Sequence, residues 1–69
     1  MEILTIYFNR CFFNTIECRE YLSQHKLVPV LRVIRSDENF IYIIQDEKNF
    51  THKVKKNVGN KVVIQYGYF

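Results

Sequence analysis

The 69-residue chain has no alanine, one proline, two glycines and two cysteines. Each shortage excludes something. So little Gly and Pro, with no internal repeat, does not describe a disordered or low-complexity chain. Two cysteines are too few for the disulfide framework of a small secreted domain, so Cys11 and Cys18 read as reduced thiols. No apolar run approaches the roughly 20 residues of a helical membrane span. The apolar start, Ile3 to Phe8, is short for a signal-peptide core and follows an acid, Glu2, where such a peptide carries positive charge. The expectation is a cytoplasmic protein without membrane association, folded as a single domain over 1–69.

Acidic residues are missing from the C-terminal third. All seven acids precede Lys48, alongside Arg10, Arg19, Lys26, Arg32 and Arg35. From Lys48 onward the only charged residues are Lys48, Lys53, Lys55, Lys56 and Lys61, and the net charge is +3. A slightly acidic body thus carries a basic block.

Catalytic sets are missing too. There is no Gly-rich phosphate loop and no clustered acid pair. Cys11 lies just ahead of an expected helix, where a thiolate is stabilised, but no nucleophile motif surrounds it or Cys18. The soft metal ligands are Cys11, Cys18, His25 and His52, with six, six and twenty-six residues between them. Structural zinc sites bring ligands in close pairs, and Cys18 and His25 fit equally as core positions of one helix. The reading is a non-enzyme with no cofactor and no metal.

Large side chains compensate for the small size. A 69-residue chain buries only about 60% of its unfolded surface, and each fully buried Ile or Phe contributes roughly 1.5–3 kcal/mol. The stretch Leu27 to Val54 reads as the organising centre. It suggests two consecutive hairpins, with turns at Ser36-Asp37-Glu38-Asn39 and Asp46-Glu47-Lys48-Asn49. Phe40-Ile41-Tyr42-Ile43-Ile44 is a strand, apolar on both faces, so it is covered on both sides or covered on one side with a partner on the other. Pro29 places the strand through Val30–Ile34 near an edge or at its own start. Phe50, His52 and Val54 alternate with Thr51, Lys53 and Lys55, a strand wet on one side.

Ahead of this core, Leu4, Ile6 and Phe8 alternate with Ile3, Thr5 and Tyr7 in a first strand. Residues 9–13 form a loop with exposed aromatics. Asn14 and Glu17 make a capping-box pair, and Cys18, Tyr21, Leu22 and His25 form one helical stripe. The helix ends near Lys26, before the extended backbone at Val28-Pro29. Residues 56–60 form a turn and Lys61 to Tyr66 a last strand. The fold class is α+β, one helix on a mostly antiparallel sheet, in the order β-α-β-β-β-β, the strands after the helix forming a meander.

Eleven Phe and Tyr residues are more ring surface than one helix can cover. Phe12, Phe13, Tyr42, Tyr68 and Phe69, with Arg32 and Arg35, are the expected partner-binding residues, since Tyr and Phe beside Arg are typical interface anchors. The partner is a host protein or protein–nucleic-acid complex, or a second copy closing a homodimer. The alternative is a small nucleic-acid-binding regulator in which Lys48, Lys53, Lys55, Lys56 and Lys61 neutralise phosphates. The same lysines also suit edges and turns, where charge keeps strands from pairing with other chains. A recognition motif of the RNA-binding sheet type is excluded by the lack of a second helix and of its Gly-Phe-Gly-Phe signature.

The segment Val33-Ile34-Arg35-Ser36-Asp37-Glu38-Asn39, followed by Phe40 to Asp46, resembles a hairpin in small phage-encoded inhibitors of the anti-CRISPR type. It covers less than half of the chain and brings no motif-defined functional residue. The resemblance implies a short chain, encoded by a phage or mobile element, that docks on a host nucleic-acid-handling complex and blocks or bridges it.

Overall fold

The computed structural model describes residues 1–59 and 61–69. One helix packs on a five-stranded antiparallel sheet: β1 (Glu2–Asn9), α1 (Thr15–Gln24), β2 (Arg32–Arg35), β3 (Asn39–Ile43), a 3-10 turn (Glu47–Asn49), β4 (His52–Gly59) and β5 (Val62–Tyr68). The fold is the α+β arrangement read from the sequence. Among the described residues no helix is long and apolar enough to cross a membrane.

The sheet order is β2-β3-β1-β5-β4, so β1 is the central strand and not the stretch from Leu27 to Val54. Ile6 and Phe8 are fully buried and pair with Tyr42 and Phe40 of β3 on one side and Ile64 and Val62 of β5 on the other. These six residues, with Cys18 and Leu22 of α1, form the helix-side core. The rings of Phe13, Tyr21 and Tyr42 meet Phe8 edge-on at 5.2, 5.3 and 5.5 Å, the geometry their quadrupoles favour.

A register shift between Ile3 and Thr5 interrupts the expected alternation of β1. Ile3 packs against the helix-side core. Leu4 is also fully buried but stands outside that core, its side chain beside Gly67 and Phe50. A bulge of this kind re-aims side chains at the end of a paired region.

The helix begins as its sequence dictates. The Asn14 side chain accepts from the Glu17 N–H at 2.8 Å, and the Glu17 carboxylate accepts from the Asn14 N–H at 3.0 Å. Its buried stripe is shorter than expected. Cys18 and Leu22 are buried, Tyr21 is half-buried, and His25 is the exposed C-cap, stacked on Tyr21 at 4.2 Å. The chain then reverses through Lys26, whose φ is 57°. Leu27 N–H donates to the Leu22 carbonyl and Lys26 N–H to the Ser23 carbonyl. This pair of bonds closes a helix end through a left-handed residue.

The first hairpin, β2–β3, is as expected. Ser36 N–H donates to the Asn39 carbonyl at 2.9 Å, and Asn39 N–H donates to Ser36 Oγ at 3.0 Å. The second hairpin does not form. Asp46 does cap a turn, accepting from Lys48 N–H at 2.9 Å, but β4 pairs with β5 at the far edge and not with β3. The strands after the helix are therefore not a meander. The reason lies in the connection itself. Ile44 and Gln45 N–H both donate to the Leu4 carbonyl, and Gln45 Nε2 donates to the Ile3 carbonyl, tying the chain to the end of β1. Phe50 is buried against Leu4 and Gly67. An apolar residue in the connection gains by covering the end of the sheet, and a tight hairpin would leave it in water. β4 then continues to Gly59, so the turn expected at 56–60 is mostly strand; Asn60 lies outside the described residues.

A candidate docking surface on the open sheet face

Strand alternation divides the sheet into two faces. The helix covers one. On the other, the register aligns Arg32 and Ile34 of β2, Ile43 and Ile41 of β3, Thr5 and Tyr7 of β1, Gln65 and Val63 of β5, and Lys55 and Asn57 of β4. Among the described residues no helix lies over them. The β3–β4 connection walls one end, so that Gln45, Asp46, Glu47 and Lys48 close a groove of about 770 Å³ whose floor is Thr5, Tyr7, Ile41, Ile43 and Gln65. Leu31, at its β2 side, is 65% exposed, and Ile34 is 40% exposed.

The groove is mostly apolar, and its rim carries both signs: Arg32 and Lys48 with Asp46 and Glu47 in the lining, and Lys53 and Lys55 of β4 just outside it. Lys55 Nζ lies 4.8 Å from the centroid of the Tyr7 ring. Lys53 reaches Glu47 at 3.8 Å, an exposed pair that contributes little by itself. Arg32 stands at the opposite side. Interface cores have this character, apolar surface enclosed by a polar border.

The residues expected to bind a partner are dispersed. Phe12 is 58% exposed in the loop after β1, under Lys61 Nζ at 5.3 Å. Phe13 is half-buried against Phe8 and helps close the core. Tyr42 is buried in the helix-side core at 4% exposure, so it cannot belong to a surface patch. Tyr68 and Phe69 are exposed at the other end of β1, Tyr68 stacked on His52 and Phe69 on Phe50. Seven residue steps of β1, roughly 23 Å of strand, separate them from Phe12. Arg32 belongs to the open face, whereas Arg35 pairs with Phe40 on the helix side and lies over its ring at 5.8 Å. The ring surplus is thus hidden more fully than expected: Phe8, Phe40, Tyr42 and Phe50 are buried. The apolar surface left outside is largely aliphatic.

The lysines are divided as well. Lys48, Lys53 and Lys55 border the open face. Lys56 pairs with Ile64 on the helix side, 6.0 Å from the Tyr66 ring, and Lys61 is at the Phe12 end.

Cys11 is exposed and Cys18 is buried. Burial pushes the Cys18 thiol up from 9.0 to about 11, while hydrogen bonding with the Tyr42 hydroxyl pulls the other way. Tyr42 is raised in turn, by burial first and by Cys18 second. A thiol held protonated is a poor nucleophile. Among the described residues no three of His, Cys, Asp and Glu come together to hold a metal ion.

The residues that sequence reasoning missed are Thr5, Tyr7, Leu31, Ile34, Ile41, Ile43 and Gln65. A signal for them existed. Ile41 and Ile43 are the second apolar face of the Phe40–Ile44 run, which called either for cover on both sides or for a partner.

No family model, curated protein or solved structure matches the chain.

Proposed function

We propose that this chain is a non-enzymatic binding protein that docks through its open sheet face on an acidic, partly apolar surface of a larger protein or protein–nucleic-acid assembly, inhibiting or bridging it. The observation that supports this reading is the uncovered groove over Tyr7, Ile41 and Ile43, with Arg32 and Lys55 at opposite sides. Apolar surface in such a depression is stabilised when a partner removes it from water, at about 25 cal/mol per Å². The cations at its rim select for an acidic partner and steer the encounter. Encoding by a phage or mobile element, and a host complex as the target, rest on the resemblance of the hairpin segment to anti-CRISPR-type inhibitors.

A nucleic-acid partner has one feature in its favour, the group of Lys48, Lys53 and Lys55 beside Tyr7. Single-stranded readers stack two or three bases on sheet aromatics, and Tyr7 is the one aromatic among the strand residues aligned on this face. The lysines fit the border of a protein interface better. A mobility shift that weakens steeply with salt would favour the nucleic-acid reading.

The test uses the double variant Tyr7→Thr/Ile41→Thr, which keeps β-forming residues but removes the apolar floor. Affinity capture with mass spectrometry on the wild type should identify a partner, and the variant should lose it. Equal capture by both forms would rule out the open face as the docking surface.

A further inference from the structure

The edge strand β2 differs from the edge strand β4. Both carry cations that discourage pairing with a like-charged strand, Lys53, Lys55 and Lys56 on β4 and Arg32 and Arg35 on β2; the difference lies in the surfaces that flank β2. β2 is four residues long, all exposed, and ends the sheet. Hollows lie on both of its faces. The open-face groove begins at Leu31 and Ile34. On the helix side a second hollow of about 560 Å³ lies between β2 and α1, lined in part by Val28, Val30, Val33 and Leu22, with Arg19 and Arg35 at its border. Val33 is 46% exposed there.

We infer that β2 accepts an extended segment of the partner as a sixth strand, a segment with a short apolar centre flanked by acids. Addition of a strand supplies main-chain hydrogen bonds at the free edge, and the alternating side chains of the incoming strand enter pockets on the two faces. Here those pockets are the open-face groove and the hollow beside α1. The charge on this edge decides the occupant. Arg32 serves the open face, and Arg35 and Arg19 serve the helix face. A second copy of β2 in the same place gathers four guanidiniums over a four-residue strand, and like charges across strands repel. Carboxylates on the incoming strand convert the same positions into ion pairs. Asp46 and Glu47 line the same groove, in the connection that leaves β3 just after Ile43, the residue opposite Arg32; Glu47 is engaged by Lys53.

This inference rests on the proposed docking role and names the partner's binding element. The probe is a labelled peptide, Asp-Asp-Val-Ile-Val-Asp-Asp, titrated into the full chain, with amide exchange followed residue by residue. The peptide should bind and slow exchange of β2 amides. Arg32→Glu/Arg35→Glu should weaken it by at least about tenfold and instead bind the peptide with Lys in place of Asp. A peptide N-methylated at alternate residues keeps the side chains but loses one edge of backbone donors, so its binding should vanish even if the protein variant misfolds. Equal binding of the N-methylated peptide, or no change at β2, overturns the inference. Concentration-dependent dimerisation with β2 protected in the absence of peptide also overturns it and makes a second copy the occupant. If partner capture is lost in Tyr7→Thr/Ile41→Thr but the peptide does not bind, the strand inference fails alone. If no variant alters capture, the docking role fails with it.

Discussion

Phe12 and Phe13 are chemically identical neighbours with different work to do. Phe12 lies in solvent under a lysine, whereas Phe13 packs on the ring of Phe8. Phe12→Ser should change unfolding free energy by less than about 1 kcal/mol, and Phe13→Ser should cost about 1–2 kcal/mol, both read from urea denaturation. The cysteines separate in the same way. Alkylation of the native protein at mildly alkaline pH should label Cys11 alone, with Cys18 reacting only after unfolding. Because the folded Cys18 thiol holds its proton up to about 11 against 9.0 when unfolded, the unfolded state binds fewer protons in that window. Its contribution to stability is complete below about pH 9 and is lost as pH rises through 11. Tyr42, raised by burial and by Cys18, acts in the same direction. A Cys18→Val variant should therefore show a shallower loss of stability between pH 9 and 11; an unchanged slope would assign the alkaline transition elsewhere. None of these distinctions can be read from adjacent letters, since residues 12 and 13 have the same identity and only the turn of the loop assigns their surroundings.

Elements whose determinants are local were legible. The capping box at Asn14 and Glu17, the Ser36–Asn39 turn and the edge position implied by Pro29 all depend on residues within a few positions of one another. The crossover was not legible. A capped turn at Asp46 and a following strand look the same in sequence whether the strand returns beside β3 or passes to the outer edge. The choice depends on Leu4, Phe50 and Gly67, which are distant in the chain. A side chain at Gly67 would put its Cβ 2.7 Å from Phe50 Cγ and 2.8 Å from Leu4 Cδ1. Gly67→Ala should displace Phe50 and cost about 1–3 kcal/mol, with thermal melting as the readout; a neutral result would mean that the crossover does not seat Phe50 as described. At the helix end the opposite change should help. Lys26 occupies left-handed backbone at φ 57°, a conformation that costs most residues and not glycine. Lys26→Gly should raise stability by about 1 kcal/mol in the same assay.

At the scale of the whole molecule, one helix serves a sheet that has four sides to satisfy: a face under α1, a face without a helix over it, and two edges. The sequence announced the imbalance through the Phe40–Ile44 run, apolar on both faces, and through an abundance of rings. It misassigned the surplus to aromatics because ring count says nothing about which rings a helix and a crossover hide. What remains outside is a groove of Ile, Leu and Tyr with Arg32, Lys48, Asp46 and Glu47 at its border, on the face that α1 does not reach. The most direct measurement is hydroxyl-radical footprinting of side chains in the free protein and in the captured complex. Tyr7, Leu31, Ile34 and Ile41 should become protected while Phe12 and Ile16 stay as reactive as in the free chain. Protection confined to Phe12, Ile16 and the outer surface of the helix, with the open face unchanged, would contradict the docking surface proposed for this protein.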